Sequence, residues 1–250
     1  MSRAREEKKL RRPDLPSAIH EPEHDSTVSV IVPTLNEETA LAATLQRARQ
    51  PGVHEIIVVD GGSTDTTRAI AASLADVVFS APRGRAAQMN AGAARATGDV
   101  LLFLHADTLL PQGFADAVTA ACAAPAVIGG RFDVRLEPSS PLLWLTGELI
   151  NRRSRLSRIA TGDQAIFIRR VTFEQLGGYA EIPLMEDIDL TRRMKRAGRV
   201  ACLHQRVTTS ARRWQKHGVV RTILLMWTLR VLYFCGVSPQ RLQRVYANIR

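Results

Sequence analysis

Short apolar runs that alternate with helical patterns constrain the fold of this chain more than any other feature. Each run has the length of a buried strand, and each is followed by apolar residues at helical spacing. The predicted strands are Val28–Pro33, Glu55–Asp60, Asp76–Ser80 and Val100–His105, and the predicted helices are 38–49, 64–74, 85–96 and 111–121. This alternation predicts an α/β fold with a mostly parallel central sheet flanked by helices.

The alternation loosens after residue 126. Here the pattern predicts strands at 128–136 and 165–168 and helices near 142–152, 187–197 and 219–236. Residues 1–27 lack apolar periodicity, and their six basic and six acidic side chains cancel, which predicts a disordered charged tail. We therefore expect one α/β domain over 28–215 and a basic helical extension over 216–250.

Composition excludes several classes of protein. The three cysteines are too few and too widely spaced for a disulfide framework or a metal-ligand pattern. The sequence has no apolar run of bilayer length and no leader-type apolar region, so we expect a cytoplasmic protein. After Asp189 the chain carries 14 Lys and Arg and no Asp or Glu. That asymmetry predicts an anionic partner, which could be a phosphate ligand, a membrane surface or nucleic acid.

Polar segments follow three of the predicted strands, at the sheet edge where open parallel sheets bind ligands. They are PTLNEE from Pro33, DGGSTD from Asp60 and HADT from His105. The glycines of DGGSTD permit a close backbone approach, so this loop could hold a ribose or base edge. The alternative is an ordinary turn in which Ser63 or Thr64 caps the next helix.

Two sites carry carboxylates that need an explanation. Asp107 follows an apolar strand, where a divalent cation shared with a diphosphate would stabilise it; alternatively, it caps the helix at 111–121. Glu186 and Asp187 begin a helix that continues into basic residues, which suits the helix dipole. A carboxylate fixed there beside a cleft could also be a general base.

The basic C-terminal part contains two segments, 212–214 and 219–236, and each of them has two possible interpretations. The guanidinium groups of Arg212 and Arg213 could bind a diphosphate, with Trp214 stacking on a ring, or all three could form a solvated face. Residues 219–236 are apolar but contain Arg221 and Arg230, which point to opposite sides of a helix. This helix either packs on the domain or lies at a membrane interface.

Taken in order, these segments resemble family 2 glycosyltransferases. VSVIVPTLNEE, EIIVVDGGSTDTT, LLFLHADT, TGDQAIFIRR, MEDIDLTRRMKRAGR and SARRW are similar to the family's successive motifs. The resemblance implies a GT-A fold, a nucleotide-diphosphate sugar donor, a divalent metal (Mg²⁺ or Mn²⁺), and inversion at the anomeric carbon. It also implies an acceptor hydroxyl on a small molecule or a lipid-linked compound, and no nucleic acid.

The resemblance also assigns residues to roles. Asp187 corresponds to the catalytic base, with Glu186 beside it, and Asp107 with His105 corresponds to the metal site. Nucleotide-sugar binding falls to Pro33, Thr34, Asn36, Glu37, Asp60, Gly61, Ser63, Arg85, Arg213 and Trp214. The acceptor side falls to Gly162, Asp163 and Gln164.

Three positions depart from the family pattern. Gly61 replaces an acid that usually contacts uracil, and His105 replaces the first acid of the metal motif. Ser210 replaces a glutamine typical of processive synthases, so we expect single sugar transfers. HADT, GDQAIF and GVSP together resemble a bacterial subfamily named for arsenosugar biosynthesis, whose members accompany radical-SAM enzymes.

Other functions fit the sequence less well. A nucleotidyltransferase would need a Gly- and Lys-containing loop after the first strand, and a dinucleotide-dependent oxidoreductase would need G-x-G-x-x-G there. PTLNEE has neither. A non-catalytic binding module, recruited to a membrane by the basic C-terminal region, remains an alternative.

Overall fold

The computed structural model describes residues 26–212, 214 and 218–249. Nearly all of the predicted tail at 1–27 lies outside the described residues, as does Arg213. Within the described part, eight strands form one sheet that is flanked by helices on both faces.

The strands and helices have the following bounds. The strands are β1 (Val28–Thr34), β2 (Val53–Asp60), β3 (Val77–Ser80), β4 (Val100–Phe103), β5 (Thr108–Leu109), β6 (Val127–Glu137), β7 (Ile166–Arg169) and β8 (Arg199–Ser210). The helices are α1 (Leu41–Ala48), α2 (Thr67–Leu74), α3 (Arg85–Ala93), α4 (Phe114–Ala123), α5 (Pro141–Ser157), α6 (Arg170–Gln175), α7 (Glu186–Ala197), α8 (Val219–Phe234) and α9 (Pro239–Ile249), with a 3₁₀ turn at Gly162–Gln164.

The strand order is β3-β2-β1-β4-β7-β6-β8-β5. β3, β2, β1 and β4 pair in parallel, as do β6 and β8, whereas β7 and β5 run in the opposite direction. The parallel register places Thr34 beside Asp60, at the ends of β1 and β2. The predicted α/β class with a mostly parallel sheet is confirmed.

The central strands are apolar on both sides because both faces of the sheet are covered. On one face, alternate residues of β1, β2 and β4 pack with α1 and α4 around Phe114. On the other face, the remaining residues pack with α3, α6 and α7 around Phe103 and Met194. The polar ends of the strands therefore come together at one edge of a rigid scaffold.

Every helix and strand predicted from the sequence is present, but several elements were not predicted. The long strand β8 was missed because its sequence, RVACLHQRVTTS, mixes basic, polar and apolar residues without strict alternation. The short elements β5 and α6 and the helix α9 were also missed. The predicted capping of α2 by Ser63 or Thr64 is wrong: α2 begins at Thr67, whose N–H donates to Asp65.

The last two helices pack on the domain through an apolar cluster. Leu229 of α8 and Leu242 of α9 are fully buried against Met185 and Ile188, which flank the start of α7. Thus the C-terminal extension packs directly on the helix that carries Asp187. None of the described helices is long and apolar enough to cross a bilayer.

Candidate active site

The loops after β1 and β2 are joined by hydrogen bonds around Asp60. The buried carboxylate of Asp60 accepts hydrogen bonds from the backbone N–H groups of Gly62 and Ser63, both at 3.0 Å, and from the hydroxyls of Ser63 and Thr34. Burial alone would raise the pKa of Asp60, but these hydrogen bonds outweigh it and lower the pKa. Asp60 is therefore ionised and shapes its own loop.

Asn36 connects the first loop to the second. Its backbone N–H donates to the Ser63 hydroxyl at 2.9 Å, and its side-chain oxygen accepts from the Thr64 N–H at 2.9 Å. Asn36 has a φ of 53°, a left-handed conformation that asparagine tolerates better than most residues. These contacts explain why Ser63 and Thr64 are not available to cap α2.

Gly61 lies against a buried glutamine. Gln88 of α3 donates to the backbone oxygens of Thr34 and Val59, both at 2.8 Å. A Cβ atom at Gly61 would stand 3.1 Å from the Gln88 amide. An aspartate at position 61 would therefore crowd Gln88, which gives a physical reason for the glycine.

Arg212 bridges the first loop and the end of β4. Its guanidinium donates to Thr39 at 3.0 Å and to Glu37 at 3.3 Å, and it lies 3.7 Å from the Asp107 carboxylate. Burial, followed by the negative charge of Asp107, raises the pKa of Glu37 despite Arg212. The carboxylates of Glu37 and Asp107 are therefore close enough to repel each other, and the guanidinium of Arg212 contacts both.

Asp107 and His105 differ in the kind of ligand that each could offer to a metal. Burial, and then the charge of Arg85, lower the pKa of His105, so its imidazole is neutral and able to coordinate. Among the described residues, no group of three His, Cys, Asp or Glu side chains could hold a metal alone. One carboxylate and one imidazole fit a divalent cation whose remaining ligands come from a diphosphate. Asp107 does not cap α4, which begins at Phe114 after Gly113.

A cavity next to His105 contains the second carboxylate pair. It is lined by Met89, Phe103, His105, Gly162, Ile166, Tyr179, Glu186 and Asp187. Asp187 accepts hydrogen bonds from the N–H of Gly162 at 2.8 Å and from the N–H of Ile188 at 2.7 Å. Its half-buried carboxylate is thus held at the N-terminus of α7 and faces the cavity.

The carboxylate of Glu186 is less accessible than that of Asp187. It is 3% exposed and pairs with Arg85 at 2.8 Å, while its other oxygen is buried without a hydrogen-bond partner. Burial, and then the charge of Asp187, raise the pKa of Glu186 although Arg85 lowers it. Of the two acids, Asp187 is the better placed to receive a proton from a molecule in the cavity.

Gly162 joins the two halves of the site. Its backbone N–H holds Asp187, and a Cβ atom on it would lie only 2.4 Å from Nε2 of His105. Beside it, Gln164 is fully buried and donates to the backbone of Phe132 instead of lining the cavity. Asp163 has one buried oxygen without a hydrogen-bond partner.

The structure brings most of the sequence-predicted residues to one edge of the sheet. Trp214 differs, because it packs beside Leu136, Leu143 and Ala211. Sequence reasoning missed Tyr179, whose pKa is raised by burial and by the charges of Asp187 and Glu186. It also missed Gln88. The signal for Tyr179 was an aromatic residue after two glycines, shortly before the acid pair.

Comparison with known proteins supports the same grouping of motifs. Residues 29–173 match the family described as Glycosyl transferase family 2. The chain belongs to glycosyl transferase family 2. The match covers the loops after β1, β2 and β4, so the family motifs coincide with the polar edge of the sheet.

Two curated proteins that are named as glycosyltransferases are similar in sequence to this chain. Validoxylamine A glucosyltransferase of Streptomyces hygroscopicus subsp. limoneus is 38% identical over 114 residues, 41% of this chain and 25% of that protein. PGL/p-HBAD biosynthesis glycosyltransferase of Mycobacterium tuberculosis is 36% identical over 172 residues, 60% of this chain and 62% of that protein. The matches thus span a quarter and about three fifths of these relatives.

Solved structures show that this family 2 chain has a GT-A-like fold. The mannosyltransferase PcManGT from Pyrobaculum calidifontis, in complex with GDP-Man and Mn²⁺, aligns with a TM-score of 0.60 at 23% identity, covering 79% of this chain and 60% of that one. S. aureus TarS 1-349 aligns with a TM-score of 0.56 at 19% identity, covering 74% and 60%.

Proposed function

We propose that this chain is an inverting glycosyltransferase that moves a sugar from a nucleotide-diphosphate donor to an acceptor hydroxyl, one transfer at a time. The observation that carries the proposal is the position of Asp187. Its carboxylate is anchored by two backbone N–H groups and faces a cavity beside the Asp107 loop. His105 lines the same cavity as Asp187 and lies two residues before Asp107, which supports a base and a metal site close to each other.

In this mechanism Asp187 takes the proton of the acceptor hydroxyl as its oxygen attacks the anomeric carbon. The bond between that carbon and the diphosphate breaks, and the nucleoside diphosphate leaves. A single displacement inverts the anomeric carbon and needs no covalent nucleophile. Arg85 and Glu186 form the wall beside the base, and their ion pair fixes the start of α7 against α3.

The donor binds, in this proposal, along the loops after β1 and β2. The donor would contact Asn36, Gly61 and Ser63, and the hydrogen bonds of Asp60 fix the conformation of the loop that carries Gly61 and Ser63. Asp107 and His105 would hold Mg²⁺ or Mn²⁺, which supplies positive charge to the departing diphosphate. The GDP-Man and Mn²⁺ bound to the mannosyltransferase of similar fold support this assignment, as do the neighbouring carboxylates of Glu37 and Asp107.

A panel of nucleoside diphosphates tests donor binding. In the presence of Mn²⁺, the matching nucleotide should raise the melting temperature by roughly 4–10 °C when added at about 100 times its Kd. Asp107→Asn should remove most of this rise because it deletes the only carboxylate proposed for the metal. Asp116→Asn, on the exposed side of α4, is the matched control and should preserve it. If no nucleotide stabilises the wild-type protein, the proposed donor chemistry is wrong.

We also propose that α5 and α8 contact an anionic membrane surface. Exposed apolar residues recur every three or four positions along α8, at Val220, Leu224, Trp227, Val231 and Phe234. Helix α5 also exposes apolar side chains, at Leu142, Trp144, Leu145, Leu149 and Leu156. The chain after Asp189 is exclusively basic among its charged residues, which complements anionic lipid. One face of α8 packs on the domain through Leu229, and the opposite face carries the exposed apolar side chains.

Vesicle flotation tests this contact. At low salt, wild-type protein should float with phosphatidylserine–phosphatidylcholine vesicles, and Leu224→Gln/Trp227→Gln should weaken binding by about tenfold or more, since each side chain loses burial in lipid. Val171→Gln is the control because Val171 is equally exposed but lies on α6. Absence of wild-type binding at low salt would exclude the membrane contact.

The acceptor in this proposal carries a free hydroxyl that enters the cavity beside Asp187. Either a small molecule or a lipid-linked compound fits, and membrane contact would place the protein at the inner face of the cell membrane. The arsenosugar-type assignment stays a prediction from HADT, GDQAIF and GVSP. Should the wild-type protein transfer no sugar from any nucleotide-diphosphate donor, a non-catalytic binding module or a nucleotidyltransferase would replace the present proposal.

A further inference from the structure

Two arginines lie near the acceptor side of the cavity without a partner in the part of the chain that the structure describes. Arg153 projects from α5 and Arg230 from α8. Nε and Nη2 of Arg153 are buried and make no hydrogen bond. A buried guanidinium without acceptors destabilises a folded protein, so this arrangement requires an explanation.

Neighbouring arginines do not share this property. Arg131 and Arg155 both pair with Asp133, and Arg85 pairs with Glu186. Each of these three cations has a carboxylate in contact with it. Arg153 therefore differs from these three arginines in having no carboxylate in contact with it among the described residues.

The two arginines are close to one another and to the acids of the cavity. Burial, and then the like charge of Arg230, lower the pKa of Arg153 to about 10, while Asp163 and Asp187 act in the opposite direction. Burial also lowers the pKa of Arg230, again against Asp163 and Asp187. Arginine stays charged at neutral pH, so two positive charges lie close enough to Asp163 and Asp187 to be influenced by them.

The same region also contains a carboxylate with an unsatisfied acceptor atom, that of Asp163. It follows Gly162, which lines the cavity, and its buried Oδ1 has no hydrogen-bond partner. The charges of Asp163 and Arg153 influence each other, yet no hydrogen bond or ion pair joins them among the described contacts. The region therefore offers unsatisfied donors and an unsatisfied acceptor side by side.

We propose that Arg153 and Arg230 bind a phosphate group carried by the acceptor, and that Asp163 accepts a hydrogen bond from a hydroxyl of the same molecule. The inference rests on the proposed function, since it assigns the substrate class of that site. Paired guanidinium forks suit phosphate oxygens in geometry and charge. Held there, the acceptor directs its reacting hydroxyl toward Asp187 while its phosphate stays on the α5 and α8 side.

Inorganic phosphate is the probe for this site. The titration is performed at constant ionic strength, with the stabilising nucleoside diphosphate present in excess so that the donor site is filled. Phosphate should raise the melting temperature of the wild-type protein by roughly 2–6 °C. Arg153→Gln/Arg230→Gln should lose at least two thirds of that rise. Arg152→Gln/Arg221→Gln removes the same charge from exposed positions on the same two helices and should keep it.

A second arm uses dodecyl phosphate, a single-chain phosphate monoester, in place of inorganic phosphate. Arginine-dependent stabilisation that is stronger with dodecyl phosphate identifies a lipid phosphate, and equal stabilisation identifies a water-soluble one; both support the site. A third measurement concerns Arg153→Met without phosphate. Its melting temperature should equal or exceed that of wild type, because an unpaired buried charge is removed.

Two results would overturn the phosphate site. One is phosphate stabilisation that is equal in the wild type and the Arg153/Arg230 double variant. The other is a marked drop in the melting temperature of Arg153→Met, which would mean that the guanidinium is paired inside the protein. Either result leaves nucleotide binding intact. Failure of the proposed function appears separately, as the absence of stabilisation by any nucleotide. In that case the phosphate titration is performed without nucleotide.

Discussion

Asp187→Asn is expected to lower kcat for sugar transfer by about 10²–10⁴-fold, the range that general-base catalysis contributes. The asparagine side-chain oxygen can still accept the N–H bond of Gly162, so the loop keeps its place. The variant loses the capacity to take a proton, together with the acceptor for the Ile188 N–H. Nucleotide stabilisation in the thermal assay should be unchanged, because Asp187 lies on the acceptor side of His105.

The matched control is Asp189→Asn, two residues further along α7. Asp189 pairs with Arg193 at 2.8 Å and does not line the cavity. This variant should retain kcat within about twofold and lose less than about 1 kcal/mol of stability, as is usual for a partly exposed ion pair. Release of nucleoside diphosphate in the presence of acceptor measures both variants. Equal rates for the two would remove Asp187 from the mechanism.

Asp133→Ala is expected to lower the free energy of unfolding by about 3–5 kcal/mol. Asp133 of β6 pairs with both Arg131 and Arg155, and the side chains of Arg131 and Asp133 are only 1% and 7% exposed. Removing the carboxylate leaves the Arg131 guanidinium buried in the sheet without its counterion. Urea unfolding followed by circular dichroism measures the loss as a lower midpoint at unchanged slope.

Two further variants separate charge burial from simple loss of a contact. Glu174→Ala deletes the partner of Arg170 at the surface, where 61% of the Glu174 side chain is exposed, and should cost less than about 1 kcal/mol. Arg131→Met/Asp133→Leu replaces the buried ions with apolar groups and should be more stable than Asp133→Ala. A double variant as unstable as Asp133→Ala would show that shape, not charge, makes the site sensitive.

Local patterns were sufficient to predict six of the eight described strands and the polar loops that follow β1, β2 and β4. The apolar runs of β1, β2 and β4 are continuous because both faces of these strands are buried. Their ends place Asp60 and Asp107 at one edge, and this follows from topology alone. The register that sets Thr34 beside Asp60 needs only the parallel pairing of β1 and β2.

The remainder of the site depends on contacts between residues that are distant in the sequence. Arg85 meets Glu186 across 101 positions, and no local pattern encodes that pair. The inward orientation of Arg153 and the burial of Gln164 are likewise set by how α5 and the 3₁₀ turn pack on β6. Strand β8 escaped prediction for a similar reason, since its pairing with β6 compensates for a weak intrinsic pattern.

The position of Gly162 separates what must stay fixed from what can vary. A Cβ atom on this residue would collide with His105, and its N–H donates to Asp187, so one residue sets the spacing between the proposed base and the proposed metal ligands. The site proposed for the acceptor phosphate lies instead on α5 and α8, outside these contacts. Such a chain can exchange its acceptor through changes in two peripheral helices and leave the reaction centre untouched.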